Sequence, residues 1–257
     1  MDQAATLDAV ARLIHGARRL LFVTGAGVSA DSGLPTYRGM GGLYEDAPTD
    51  EGIPIEEALS GVVFQRRPEI TWKYLAQIER TCRGARPNPA HQAIAEFQRS
   101  HPGSLVLTQN VDGLHRAAGS TDLIEIHGAL HRLICTECGR QRQVADFNGL
   151  QIPPACPACG GLLRPDVVLF GEELPAAGLL RLEHALAAGF DLVFTIGTRA
   201  AFPYVAAPVH WARRAGVPTV EINPDASEVS DLVDYRIALG AAQALGELLA
   251  RLGSKTI

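Results

Sequence analysis

Short apolar runs alternate with helical stretches along most of the chain. Leu20-Leu21-Phe22-Val23-Thr24 is such a run, and it stops at a glycine. Leu105 to Thr108, Asp191 to Ile196 and Thr219 to Ile222 read the same way, and Asp234 to Leu239 is a candidate last strand. Continuous rather than alternating apolarity predicts strands buried on both faces of a parallel sheet. Between these runs the apolar spacing turns helical. Leu7, Val10, Leu13 and Ile14 fall on one face of a helix over 7–17. Further helices are predicted over 90–99, 179–188, 205–215 and 241–252. Strands alternating with helices give a doubly wound α/β sheet.

Two stretches break the alternation. Residues 39–86 begin glycine-rich and then turn helical over 55–59 and 69–80, which reads as a loop with a helical insertion. Residues 133–163 are rich in Pro and Gly and hold four of the five cysteines. Cys135-x-x-Cys138 and Cys156-x-x-Cys159 have zinc-ribbon spacing. Four thiolates fill a tetrahedral Zn²⁺, so the ion is expected to be structural. Redox dithiols or two disulfides are the competing readings. Cys82 reads as a plain buried or half-buried thiol.

Composition removes some functions. The chain has 257 residues and a net charge of −5. Phosphate binding needs a surplus of Lys and Arg, so nucleic acid is not expected as a partner. No apolar run approaches the ~20 residues of a membrane span, and no signal segment opens the chain. A cytoplasmic protein is expected.

The chemistry gathers after the apolar runs. Gly25-Ala26-Gly27-Val28-Ser29-Ala30 has the G-x-G-x-x-A form of a dinucleotide turn, in which glycines let backbone N–H groups reach a pyrophosphate. The acidic residue expected about 20 positions later on a second strand is missing. A glycine turn that merely packs helix on strand is the bland alternative. Thr108-Gln109-Asn110-Val111-Asp112-Gly113-Leu114-His115 follows the second run, where ligand groups collect in such sheets. Ile124-Glu125-Ile126-His127-Gly128 puts a histidine at a candidate strand end facing a cleft. Histidine suits general-base work near neutral pH, but His115 and His131 are rivals nearby.

Taken in order, these segments resemble the sirtuins. The likeness is carried by residues 25–39, 108–115, His127-Gly128, the two cysteine pairs, residues 164–172, Gly197-Thr198 and Ile222-Asn223. It implies a Rossmann-like large domain (1–38, 87–132 and 164–257), a helical insertion (39–86) and a zinc module (133–163). It implies NAD as co-substrate and acyl-lysine proteins as partners. The acyl oxygen would attack the nicotinamide ribose, and His127 would then deprotonate a ribose hydroxyl, with Asn110 and Asp112 assisting. Free lysine and O-acyl-ADP-ribose would result.

By the same resemblance, Gly25, Ala26, Gly27, Ser29, Pro35, Thr36, Tyr37 and Arg38 would line the NAD site. Gln109, Asn110 and Asp112 would hold its nicotinamide end, and Gly197, Thr198, Asn223 and Ala242 its adenosine end. Val168 and Phe170 would flank the acyl-lysine, with Gly171-Glu172 adding the peptide as a strand.

Four positions depart from the patterns found in the family. Tyr37 replaces a frequent Phe, and Arg199 a frequent Ser. Leu75 and Ile78 stand where desuccinylating members carry a Tyr-x-x-Arg pair. An apolar pocket leaves a carboxylate unpaired, so acetyl and other neutral acyl groups are expected. Packing of the helical insertion is the alternative role for these two residues. A mono-ADP-ribosyltransferase, a non-catalytic NAD or acyl-lysine binding module and a zinc-ribbon nucleic-acid binder are the competing functions. The last lacks the basic face it would need.

Overall fold

The structure, a computed structural model, describes residues 2–36 and 49–253. The chain begins with α1 (Gln3–Gly16) and β1 (Leu20–Thr24), then a 3-10 turn over Ala26–Ser32. Four helices follow: α2 (Ile55–Ala58), α3 (Gly61–Arg66), α4 (Pro68–Cys82) and α5 (Pro89–Ser100). Next come β2 (Leu105–Thr108), α6 (Leu114–Ala117), β3 (Leu123–Glu125), β4 (Gly128–Cys135), β5 (Gln141–Gln143) and β6 (Leu163–Val167). The chain closes with α7 (Ala176–Ala188), β7 (Leu192–Ile196), α8 (Pro203–Ala215), β8 (Thr219–Ile222), β9 (Tyr235–Ile237) and α9 (Ala241–Gly253).

The large sheet is parallel throughout, in the order β3-β2-β1-β7-β8-β9. Every residue of β1, β2, β7 and β8 is buried, as unbroken apolar runs require. α1, α5 and α9 cover one face, where Phe22 of β1 stacks between Phe97 (6.0 Å) and Phe194 (5.2 Å). α7 and α8 cover the other through Leu182, Val205, Val209 and Ala212. The strand order turns back at β1, so the chain opens a crevice beyond the carboxyl ends of β1, β2 and β7. Ligands bind at such a switch point.

β3 adds a sixth strand to the five read from the apolar runs. It is the candidate strand end read from the alternation Ile124-Glu125-Ile126. It matters because His127 sits just past its end, in the link to β4.

The second sheet is antiparallel, in the order β5-β4-β6. It begins at Gly128, ahead of the expected boundary at 133, and ends at Val167, past 163. β4 and β6 read alternately in and out, β4 is interrupted by a bulge between Ala129 and Leu133, and β5 is exposed throughout, so none of them carries a long apolar run. The helical insertion and the cysteine segment, expected as separate pieces, share one core. Trp72 of α4 is fully buried there, donates its indole N–H to the Leu163 carbonyl (2.9 Å) and packs on Phe147. Leu75 and Ile78 are buried in the same core.

Candidate active site at the carboxyl edge of the large sheet

The glycine loop meets the sheet's own backbone before it meets any ligand. Gly25 N–H donates to the Ile196 carbonyl (3.1 Å) and Gly27 N–H to the Gly197 carbonyl (2.8 Å). A Cβ on Gly27 would lie 2.7 Å from Gly197 Cα, and one on Gly25 2.8 Å from Thr198 Cβ. The glycines are therefore required because the loops after β1 and β7 touch backbone to backbone. This corrects the expectation that these N–H groups are free for an anion. It also replaces helix-on-strand packing, since a short 3-10 turn follows β1.

Ala26, Ser29, Pro35, Asn110 and Asp112 line one cavity together with Ile78 of α4. Asn110 Nδ2 donates to the Gly25 carbonyl and to Ser29 Oγ (3.1 Å each), and Ser29 donates to Asp112 Oδ2 (2.7 Å). The other Asp112 oxygen accepts the Leu114 N–H (2.9 Å). Asn110 is 5 % exposed, and its Oδ1 has no partner. A buried acceptor costs free energy unless something donates to it, so this atom fits a ligand N–H or O–H.

On the other side of the crevice, Gln109 Nε2 donates to Thr198 Oγ1 (2.8 Å) and Asn223 Nδ2 to the Thr198 carbonyl (3.0 Å). These bonds tie the loops after β2, β7 and β8 together. Ala242 lies in the first turn of α9 and packs partly buried on the core. Arg199 is exposed. Thr36 precedes the undescribed stretch, and Tyr37 and Arg38 lie outside the described residues.

Both ring nitrogens of His127 are engaged. Nδ1 lies 2.9 Å from the Gln109 carbonyl and Nε2 2.6 Å from the Tyr204 hydroxyl. A carbonyl only accepts, so Nδ1 carries the hydrogen and Nε2 presents its lone pair. Burial holds the imidazole below its ordinary pKa, with the Gln109 carbonyl opposing that shift. Gly128, next in the chain, allows the ring this place. Its φ is +83°, and a Cβ would fall 1.9 Å from the Asp166 carbonyl.

The rivals do other work. His115 is 2 % exposed, bonded to Thr24 Oγ1 (2.9 Å), and burial pushes its pKa down to about 3. His131 meets Phe147 edge-on beside Glu79 in the second core. Tyr204 was not singled out by the sequence, because the predicted helix over 205–215 began one residue after it. His91 was also passed over. It is fully buried and lies 3.4 Å from Ser29 Oγ.

The wall near β6 holds the expected substrate residues. Val168 is half-buried, its N–H donating to the His127 carbonyl (2.9 Å), and Phe170 is 41 % exposed. Phe170 N–H donates to the Leu59 carbonyl, so this backbone is already paired to the helical insertion. The Glu172 carboxylate is gripped by Arg164 (2.6 and 2.8 Å), and its N–H closes a turn onto the Leu169 carbonyl. That N–H is thus committed, which narrows the expected strand addition to what remains of Gly171-Glu172.

Cys135, Cys138, Cys156 and Cys159 converge, with all four sulfurs within 4.8 Å of one another. Sγ–Sγ distances are 3.5 Å for Cys135–Cys159 and 3.9 Å for Cys138–Cys156. Tetrahedral zinc with bonds of about 2.3 Å sets sulfurs about 3.8 Å apart. The four thiols are free rather than disulfide-bonded, and they fit one zinc with no open position.

Known proteins agree with this geometry. The profile of the Sir2 family matches residues 25–202. An NAD-dependent protein deacylase 2 of Pseudomonas syringae is 50 % identical, covering 96 % of this chain and all of its own. Its namesake in Pseudomonas aeruginosa is 47 % identical, covering 98 % and 99 %. A solved structure of a Sir2 homologue in complex with NAD superposes with a TM-score of 0.86 at 35 % identity, covering 96 % of this chain and 94 % of that one. With its cleft, its cysteine cluster and these relatives, the chain belongs to the Sir2 family, the sirtuins.

Proposed function

We propose that the protein removes acetyl and other neutral acyl groups from protein lysines, using NAD as co-substrate. The observation that carries this reading is His127. It is largely buried, held with Nδ1–H on Gln109, and its Nε2 lone pair is aimed at a hydroxyl. A general base must be neutral and within hydrogen-bond reach of the proton it takes.

When bound, NAD would supply an electrophilic ribose carbon with nicotinamide as its leaving group, and a ribose hydroxyl to receive the acyl group. The residues divide the remaining work. Asn110 offers its unpaired Oδ1 to the nicotinamide end, while Ser29 and Asp112 hold Asn110 and one another in place. Ala26, Pro35 and Thr36 serve that end, and Tyr37 and Arg38, which lie outside the described residues, are assigned to it by the resemblance alone. Gly197, Thr198, Asn223 and Ala242 serve the adenosine end, and Gln109 links the two. His127 Nε2 takes the proton of the ribose hydroxyl that captures the acyl carbon. Val168 and Phe170 clasp the lysine stem. Zinc holds the far end of the second sheet and takes no part in the chemistry. Among the described residues no helix is long and apolar enough to cross a membrane, and we place the enzyme in the cytosol.

Incubation with NAD and an acetyl-lysine peptide, followed by mass spectrometry, tests this. Nicotinamide, free lysine and O-acetyl-ADP-ribose should appear together. His127→Ala should lower the rate about 10²- to 10⁴-fold. A variant that keeps most of the rate removes His127 from the mechanism. A succinyl peptide should turn over poorly, because Leu75 and Ile78, the residues read as the acyl pocket, are buried apolar side chains that offer a carboxylate no partner.

A further inference from the structure

Tyr204 belongs to none of the motifs above, yet it makes the shortest contact that His127 has. Its hydroxyl is 2.6 Å from Nε2, and the two rings meet edge-on at 5.8 Å and 77°. The residue is well supported. It lies in the first turn of α8, directly after Pro203, and its ring stacks on Phe202 at 5.6 Å. The next residue, Val205, is buried in the core. The contact is therefore fixed by the same helix that covers one face of the large sheet.

We propose that Tyr204 is a positioning residue for His127: its phenol holds the Nε2 lone pair in the ligand-free enzyme and yields it to the substrate hydroxyl that His127 deprotonates. This rests on the reading of His127 as general base. The reason for the exchange is stoichiometric. A neutral imidazole whose Nδ1 carries the hydrogen has one in-plane lone pair, on Nε2. It accepts one well-aligned hydrogen bond. A phenol at 2.6 Å and a ribose hydroxyl at bonding distance cannot both have it. Burial pushes the Tyr204 pKa up to about 12, so the phenol stays protonated and is the donor.

The contact also acts on basicity. A hydrogen bond given to the neutral ring favours that form, which lowers the pKa of His127 in the free enzyme. Among the described residues, the neighbouring charges named here are engaged with other partners. Among the described residues no ion pair reaches His127. On the neighbouring elements, the Asp112 carboxylate is taken by Ser29 and Leu114, and Glu125 of β3 pairs with Arg116. Arg132 of β4 pairs with Asp166 of β6, and Glu172 with Arg164. The ring is faced by the Gln109 carbonyl and the Tyr204 phenol.

Tyr204→Phe keeps the ring and removes the donor, and its denaturation midpoint checks that packing survives. Two titrations read the result. The first follows the His127 ring protons by NMR in the ligand-free protein. The midpoint should rise by about half a unit to one unit in Tyr204→Phe, the worth of one hydrogen bond. The second compares acidic limbs of the pH profiles. kcat/KM reports the free enzyme and kcat the substrate complex. The limb of kcat/KM should move with the NMR midpoint, and the limb of kcat should stay. An unmoved NMR midpoint overturns the proposal. So does an equal shift in both limbs, because the phenol would then still be on Nε2 with substrate bound. A moved midpoint that neither limb follows overturns it as well, by removing His127 as base. His127→Ala would then keep its rate, which distinguishes that failure from the others.

Discussion

The edge of the large sheet and the cysteine-bearing sheet solve the same problem, holding loops still, by different means. At the large sheet the loops are locked by backbone contact and buried polar side chains. Gly27 rests on Gly197, and Asn110, Ser29 and Asp112 bond one another. The small sheet has three strands, one of them fully exposed, and no apolar runs. It draws order from α4 through Trp72 and from four thiolates aimed at one point. Preorganised covalent backbone serves the first region, and a metal and a borrowed helix serve the second.

The largest expected effect follows from that contrast. Structural zinc contributes folding free energy directly, about 10–16 kcal/mol of apparent binding in small zinc domains. Chelation, or Cys156→Ser, should unfold the far end of the small sheet and leave the parallel sheet intact. Hydrogen exchange should show protection lost across 128–167 and kept in β1, β2, β7 and β8. Loss spread evenly over both sheets would mean the two regions fold as one unit.

What the sequence disclosed divides along the same line. β1 and β7 read clearly because burial on both faces leaves only apolar residues. The residues 108–115 and 25–33 were legible because each functional group sits within a few positions of a strand end. The small sheet was not, because its core is assembled from residues as distant as Trp72 and Leu163. Tyr204 escaped for a related reason. Its partner, His127, is remote in sequence, and a tyrosine at the start of a helix carries no local signal. The glycines were noticed for a dinucleotide role, whereas their nearest need is the backbone of Gly197, which only the sheet order brings beside them.

Gly27→Ala tests the backbone lock on the large sheet. The added methyl meets Gly197 Cα at 2.7 Å, and neither loop has a side chain that can turn away. Overpacking of this kind costs about 1–3 kcal/mol. The denaturant midpoint should fall, and NAD affinity with it, while zinc content stays at one per chain. Unchanged stability would show that the two loops slide apart freely and that contact with the cofactor, not with the protein, explains the glycine.

The smallest effect is a pH dependence lodged in the large sheet alone. His115 and His91 lie beneath the Asn110–Ser29–Asp112 cluster with their rings 4.9 Å apart. Burial holds both below their ordinary values, His115 at about 3; the neighbouring His91 lowers His115 further, while the Asp112 carboxylate opposes the shift at His91. The sign follows from proton counting. An unfolded histidine titrates near 6.5, so below that pH the unfolded chain binds protons that the folded one refuses. Stability from these residues is complete above about pH 6.5 and declines as the pH falls toward 3. The slope is at most about 1.4 kcal/mol per pH unit for each histidine. His115→Gln removes one titrating group and keeps a side chain able to donate to Thr24. Its denaturation midpoint should therefore drop less between pH 7 and pH 5 than that of the unaltered protein. Equal drops would assign acid sensitivity to the small sheet instead, where protonating four thiolates releases the metal, and a parallel loss of bound zinc would accompany them.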